Sequence, residues 1–159
     1  IFLDYPLGKS SCFATGRSAR DLRIRAVDAG LTTAWRRLVP RLADGRGQRR
    51  PGLVAWGLQF DPSVVDRAEQ VLQDMFLLRY GKMPFRDKVV GKTPANRPHR
   101  RVINFSGVNM AEIVGLLAPH DRDPDDFRDW ARRLIANPPA VILIDVDRQT
   151  VIHVIYKSC

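Results

Sequence analysis

Apolar positions recur along this chain at two spacings. Some stretches repeat every three to four residues and others every two, the marks of helices and strands. The clearest helical stripe runs through Val64, Ala68, Val71, Leu72 and Met75. Asp61-Pro62-Ser63 opens it, with Pro62 suited to a first turn, and Gly81 is its natural C-terminal cap. Arg79 extends the stripe, where its methylene stem can cover apolar surface. The spacing predicts a short helix over Met110–Leu117 and another opened by Asp123-Pro124. In the latter, Asp125 and Asp126 come early and Arg132 and Arg133 late, as the helix dipole favours. Asn137-Pro138-Pro139 stops it, and Ala140 to Val146 with Thr150 to Tyr156 predict a hairpin around Asp147-Arg148-Gln149. Its strands read as apolar on both faces, as in a buried hairpin.

The first half of the chain is less regular. Residues 1–16 predict a strand pair, with Ile1-Phe2-Leu3 leading into a turn at Pro6-Leu7-Gly8-Lys9 and Cys12-Phe13-Ala14 returning. Ser18 and Asp21 are spaced as a helix start, Leu22, Ala26 and Ala29 share a face, and Gly30 can end it. Trp35, Leu38 and Leu42 suggest a second helical stretch, disturbed by Pro40, and residues 43–51 form a loop rich in Gly and Arg. Leu53 to Phe60 reads as a buried strand. Lys82 to Arg101 reads as irregular, with three prolines, seven basic residues and Asp87 as its only acid. So little apolar content predicts a segment ordered only against a partner. A short strand around Val102 to Phe105 follows.

These elements predict an α+β fold: a small mixed or antiparallel sheet flanked by helices, with a C-terminal helix and β-hairpin extension. The expected division is an α/β core over 1–81, a basic loop or arm over 82–101, and C-terminal helices plus hairpin over 102–159, packed on the core as one domain. A length of 159 residues with 45% apolar content suits this. No apolar run approaches the ~18 residues of a membrane span, so no membrane association is expected. Cys12 and Cys159 make no disulfide framework and, with three scattered histidines, no zinc pattern. That usage favours a reducing compartment, the cytoplasm or an organelle matrix. The first residue is Ile, which suits a processed product, an excised module or a piece of a longer protein.

Charge changes the picture most. Residues 1–101 carry 20 Lys and Arg against 9 Asp and Glu, a balance of +11, whereas residues 102–159 carry 6 against 8. Such asymmetry predicts a basic face or arm, and nucleic acid, DNA or RNA, is the expected partner. Arginine's planar fork suits phosphate. The candidate contacts are Arg17, Arg20, Arg23, Arg36, Arg37, Arg49, Arg50, Lys88, Lys92, Arg97, Arg100 and Arg101.

Candidate chemistry is sparser. Glu69 is one of two glutamates and falls at the margin of the clearest apolar stripe. A carboxylate there can face a cleft and hold one Mg²⁺, the hard cation that phosphoryl chemistry uses. Arg25 also lies at a stripe margin, where a guanidinium can stabilise charge on a phosphate. His99 sits in the basic segment and could act as general base, or simply as another phosphate contact. Glu69 and Arg25 equally suit ordinary boundary positions. Asp145 and Asp147 share a strand face, but Asp147 also suits a turn. Trp35, Trp56 and Trp130 sit in apolar patterns that suit a core.

The order of elements over residues 1–81 resembles the GIY-YIG nuclease superfamily. Phe2 and Phe13, with ten residues between them in the hairpin, stand where that family has two aromatics. Gly16 and Ser18 follow, Arg25 in Asp21-Leu22-Arg23-Ile24-Arg25 matches the family's arginine, and Glu69 matches its glutamate. The resemblance implies a Mg²⁺-dependent endonuclease, with Glu69 as metal ligand and Arg25 as phosphate clamp. Both family tyrosines are Phe here, and Phe cannot take a proton, so His99 or metal-bound water would have to. That replacement leaves open a non-catalytic RNA-binding component of a ribonucleoprotein such as a ribosome. A third class is a basic protein-interaction module, for which the sequence holds nothing specific.

Overall fold

A computed structural model describes residues 57–83 and 98–157. Helix α1 spans Val65–Tyr80. It starts after a turn in which the Asp61 carboxylate accepts hydrogen bonds from the Ser63 backbone N–H (2.8 Å) and hydroxyl (2.6 Å). The Val64 N–H donates to the Asp61 carbonyl at 3.0 Å, so Asp61-Pro62-Ser63 forms the entry turn and regular helix begins one turn later than the sequence suggests. The helix ends where Gly81 takes the left-handed conformation (φ 74°) and its N–H donates to the Leu77 carbonyl at 2.8 Å.

Helix α2 (Met110–Leu117) is capped by Asn109, whose side chain accepts from the Ala111 and Glu112 N–H groups. A 3₁₀ turn over Ala118–His120 leads to α3 (Pro124–Ala136), where Asp123 caps the Asp126 N–H and Pro124 occupies the first turn. Phe127, Ala131 and Leu134, spaced i, i+4, i+7, bury one face of α3. They pack with Ile113, Leu117 and Ala118, and with Ala68, Val71, Met75 and Phe76 of α1. A second apolar cluster lies on another side of α1, where Leu77 and Met83 meet Ile142 and Ile144 of the sheet. Helix α1 is therefore the shared element between a helical layer and a sheet.

The sheet has three antiparallel strands, β1 (His99–Val102), β2 (Pro139–Asp145) and β3 (Thr150–Tyr156), in the order β1-β2-β3. The arrangement is α+β. The hairpin turns through residues 146–149, where Asp145 accepts from the Asp147 and Arg148 N–H groups at 3.1 and 3.0 Å. Asp147 therefore sits in the turn and does not share a strand face with Asp145 as a metal pair would require. Gln149 takes a positive φ of 53° to close it.

Three sequence expectations need correction. Residues 57–60 form no strand, while the remainder of the strand expected over Leu53–Phe60 lies outside the described residues. The expected strand over Val102–Phe105 lies earlier, at His99–Val102, because it must pair with β2: Arg101 stands opposite Ile142 and Val102 opposite Val141. The hairpin is not buried on both faces, since Ile152, Ile155 and Tyr156 of β3 are exposed. Apolar composition alone does not fix burial in a strand next to a sheet edge. Trp130 half-buries against the helical core, and Arg79 covers apolar surface as its position suggests. Its guanidinium carbon lies 5.6 Å from the Phe127 ring centre and 5.4 Å from that of Trp130.

Arg79 also fastens α1 to the start of α3. Its Nε and Nη2 donate to the two oxygens of Asp121 at 3.1 and 3.2 Å, and Nη2 also donates to Asp126 at 2.9 Å. The Tyr80 hydroxyl adds a 2.5 Å bond to Asp121, whose side chain is 3% exposed. Burial alone would raise the Asp121 pKa, but Arg79, Tyr80 and the Asp123 N–H together hold it below its ordinary value. Replacing Arg79 with Leu strands this carboxylate without its cation. The expected loss is about 3–5 kcal/mol in urea unfolding, while Arg128→Ala, which breaks only an exposed pair with Asp125, should be near neutral. Equal effects of the two variants would remove Asp121 as the cause.

Candidate nucleic-acid interface

The two described ends of the basic segment, Lys82 and His99, lie at one end of the sheet. Residues 81–83 run antiparallel beside the start of β3, with Val151 N–H donating to the Gly81 carbonyl (2.7 Å) and Met83 N–H to the Gln149 carbonyl (3.2 Å). Lys82 bridges to Thr150, on the side of Thr150 away from Asp145. At the opposite side His99 opens β1 against Ile144, one residue from the hairpin turn. Both roots therefore sit at the hairpin end, three strand spacings apart, roughly 14 Å. Lys82 and Arg100 are exposed there. The expectation that all of 82–101 is irregular is thus overturned at its ends, where backbone pairing to the hairpin fixes residues 82–83 and 99–101.

Arg101 is not a surface contact. It is 6% exposed and points the opposite way from Arg100, because strand side chains alternate. Its Nη2 donates to Gln73 Oε1 at 2.9 Å, and its Nε lies 2.5 Å from Asp74 Oδ1. That N–H is poorly aligned with the oxygen, and the two groups form a close, buried charge pair. Asp74 is fully buried, accepts from Gln70 Nε2 at 3.1 Å, and its Oδ2 has no hydrogen-bond partner. Burial pushes the Asp74 carboxyl up to about 6, against the pull of Arg101 and Gln70.

Glu69 is half-buried on α1, one helical turn before Gln73, and His99 is half-buried on the same strand face as Arg101. Each already engages a partner. Of the remaining sequence candidates, Arg25 and Arg17, Arg20, Arg23, Arg36, Arg37, Arg49, Arg50, Lys88, Lys92 and Arg97 lie outside the described residues. Among the described residues no group of three or more His, Cys, Asp and Glu side chains could hold a metal ion.

An open cleft of about 450 Å³ lies between α1 and α3, lined by Arg79, Tyr80, Asp121, Arg122, Asp123 and Asp126. Its carboxylates are spent on the fold: Asp121 and Asp126 hold Arg79, and Asp123 caps α3. Sequence reasoning missed both Asp74 and Asp121. Only an aspartate interrupting the 73–77 run of α1 hinted at the first, and no local signal marks the second.

Searches against family models, curated proteins and solved structures found no match to this chain.

The raised Asp74 carboxyl has a definite sign. Its folded pKa of about 6 exceeds the unfolded value of 3.8. Its contribution to stability is therefore fully present below 3.8 and is lost as pH rises through about 6, on the order of 2–3 kcal/mol. The stability of the wild type relative to Asp74→Asn should fall between pH 4 and pH 7 in matched urea titrations. A relative stability that climbs over that range would mean that Arg101 attraction, not burial, governs this carboxylate.

Proposed function

We propose that this chain binds nucleic acid, with its positively charged first two-thirds against the phosphate backbone. The observation that carries the proposal is the charge balance of +11 over residues 1–101 against −2 over the remainder. A field of one sign confined to part of a small protein draws polyanions and releases their counterions on contact. The exposure of Lys82 and Arg100 beside the roots of the basic segment supports this reading.

Cleavage of the bound strand is a second reading, and the position of Glu69 favours it. The residue lies half-buried on the longest described helix, a backbone rigid enough to position a ligand. In this reading Glu69 would hold Mg²⁺, which usually keeps several waters and needs only one or two carboxylates together with substrate phosphates. Arg25 would clamp the phosphate. The phenylalanines at positions 2 and 13 favour instead a binding protein without catalysis, as in a ribonucleoprotein.

Affinity for labelled single-stranded RNA and duplex DNA should fall steeply and linearly on a log–log plot against salt, roughly 0.7–0.9 per phosphate neutralised. Salt-independent binding, or none at low salt, would end the proposal. In the same samples with Mg²⁺, Glu69→Gln should bind as the wild type does and remove any cleavage. Cleavage that survives the substitution excludes Glu69 as its metal ligand, and a wild type that never cleaves leaves binding alone.

A further inference from the structure

Among the described residues two Asp–Arg pairs are wholly or partly withdrawn from solvent, and they are built differently. Asp121 accepts from Arg79 Nε, Arg79 Nη2, the Tyr80 hydroxyl and the Asp123 N–H, and Arg79 lies over two aromatic rings. Every lone-pair direction in that pair is used, and the pair closes a contact between two helices. The other pair is unfinished. Asp74 is more deeply buried, yet one of its oxygens has no hydrogen-bond partner, and the nearest Arg101 N–H is poorly aligned with the other. Desolvating two ions is repaid only when geometry is good and the remaining donors and acceptors are satisfied. Arg101 is thus held by one hydrogen bond to Gln73 and one close charge contact with Asp74, fewer bonds than fasten Arg79.

Its location gives that difference a use. Arg101 lies on β1, a strand of four residues that pairs only with β2 among the described residues. Val102 beside it is 67% exposed, so hydrophobic burial adds little to hold the strand there. Arg100 faces outward one residue away, at the exit of the basic segment. A phosphate backbone bound at Arg100 lies within one residue of a second guanidinium whose present counterion is poorly arranged.

We propose that Arg101 is a concealed phosphate ligand: nucleic acid draws it away from Asp74, and β1 parts from α1 as it leaves. The idea rests on the nucleic-acid reading above and deepens it, since binding becomes coupled to loosening of one strand. Gln70 of its own helix and Arg101 of β1 face Asp74, Gln73 accepts from Arg101, and His99 lies on the same strand face two residues earlier. Holding Arg101 is therefore a conformational cost on binding, and removing the Asp74 charge lifts it.

Hydrogen exchange of the full chain tests this with and without saturating single-stranded RNA, and again with duplex DNA. Amides 99–102 should exchange faster in the complex, while those of 141–144 that do not pair with β1 stay protected. Asp74→Asn should bind several-fold more tightly than wild type. Arg101→Gln should make the log–log salt slope shallower by about one, an effect a structural arginine would not produce. The double variant Asp74→Leu/Arg101→Met exchanges the pair for apolar side chains and keeps a folded protein for comparison. It should share the slope of Arg101→Gln. Saturating binding with unchanged or slower exchange at 99–102, or a salt slope unmoved by loss of Arg101, overturns the proposal but leaves nucleic-acid binding standing. Absence of binding to either probe overturns both.

Discussion

Helix α1 is enclosed on two sides between Gln73 and Leu77. Five consecutive residues, Gln73, Asp74, Met75, Phe76 and Leu77, are buried there. A helix turns 100° per residue, so five in a row sweep more than a full circle. Met75 and Phe76 fall toward the α2–α3 layer, while Leu77 falls toward the sheet. The sector left over carries Gln73 and Asp74, which must either find partners inside or open the helix to water. The fold supplies Arg101 from β1. The placement of that strand, and of an arginine on its inner face, follows from the double burial of α1.

The last turn of α1 meets the same demand differently. Arg79 emerges at the rim of the helical layer, where its stem and guanidinium can lie over Phe127 and Trp130 while its nitrogens reach Asp121. A side chain with an apolar stem and five donors suits a boundary. A short carboxylate in the interior can turn only to what stands directly beside it. That difference in reach explains why one Asp–Arg pair is saturated and the other is not, and why the rigid junction lies between α1 and α3 rather than between α1 and β1. One end of the basic segment, His99–Arg101, lies at the junction of α1 and β1.

Much of the frame is legible from local pattern. The stripe on α1, the Gly81 cap, the Asn137 stop and the hairpin turn all follow from forces within one or two turns of chain. So does Asp123 as a helix start, because capping is a contact between residues three apart. Errors arose where the deciding contact is distant in sequence. β1 lies at 99–102 because β2 pairs with it from across α2 and α3. Ile152, Ile155 and Tyr156 of β3 are exposed although they are apolar, because accessibility there depends on what the fold brings alongside. Arg101 read as one more surface cation, since nothing in His99-Arg100-Arg101-Val102 distinguishes the two arginines.

The sequence by itself determined the three described helices, the β-hairpin and the asymmetry of the charge. Spacing and caps act locally, and net charge is independent of conformation. Tertiary structure decided which charges are available. Alternation along β1 sends Arg100 to water and Arg101 inward, and the two-sided burial of α1 provides Asp74 to receive it. An arginine in a sequence is a charge of fixed sign, but whether it meets a phosphate or a buried aspartate depends on the strand face it occupies. That face is set by pairing with a strand some forty residues away.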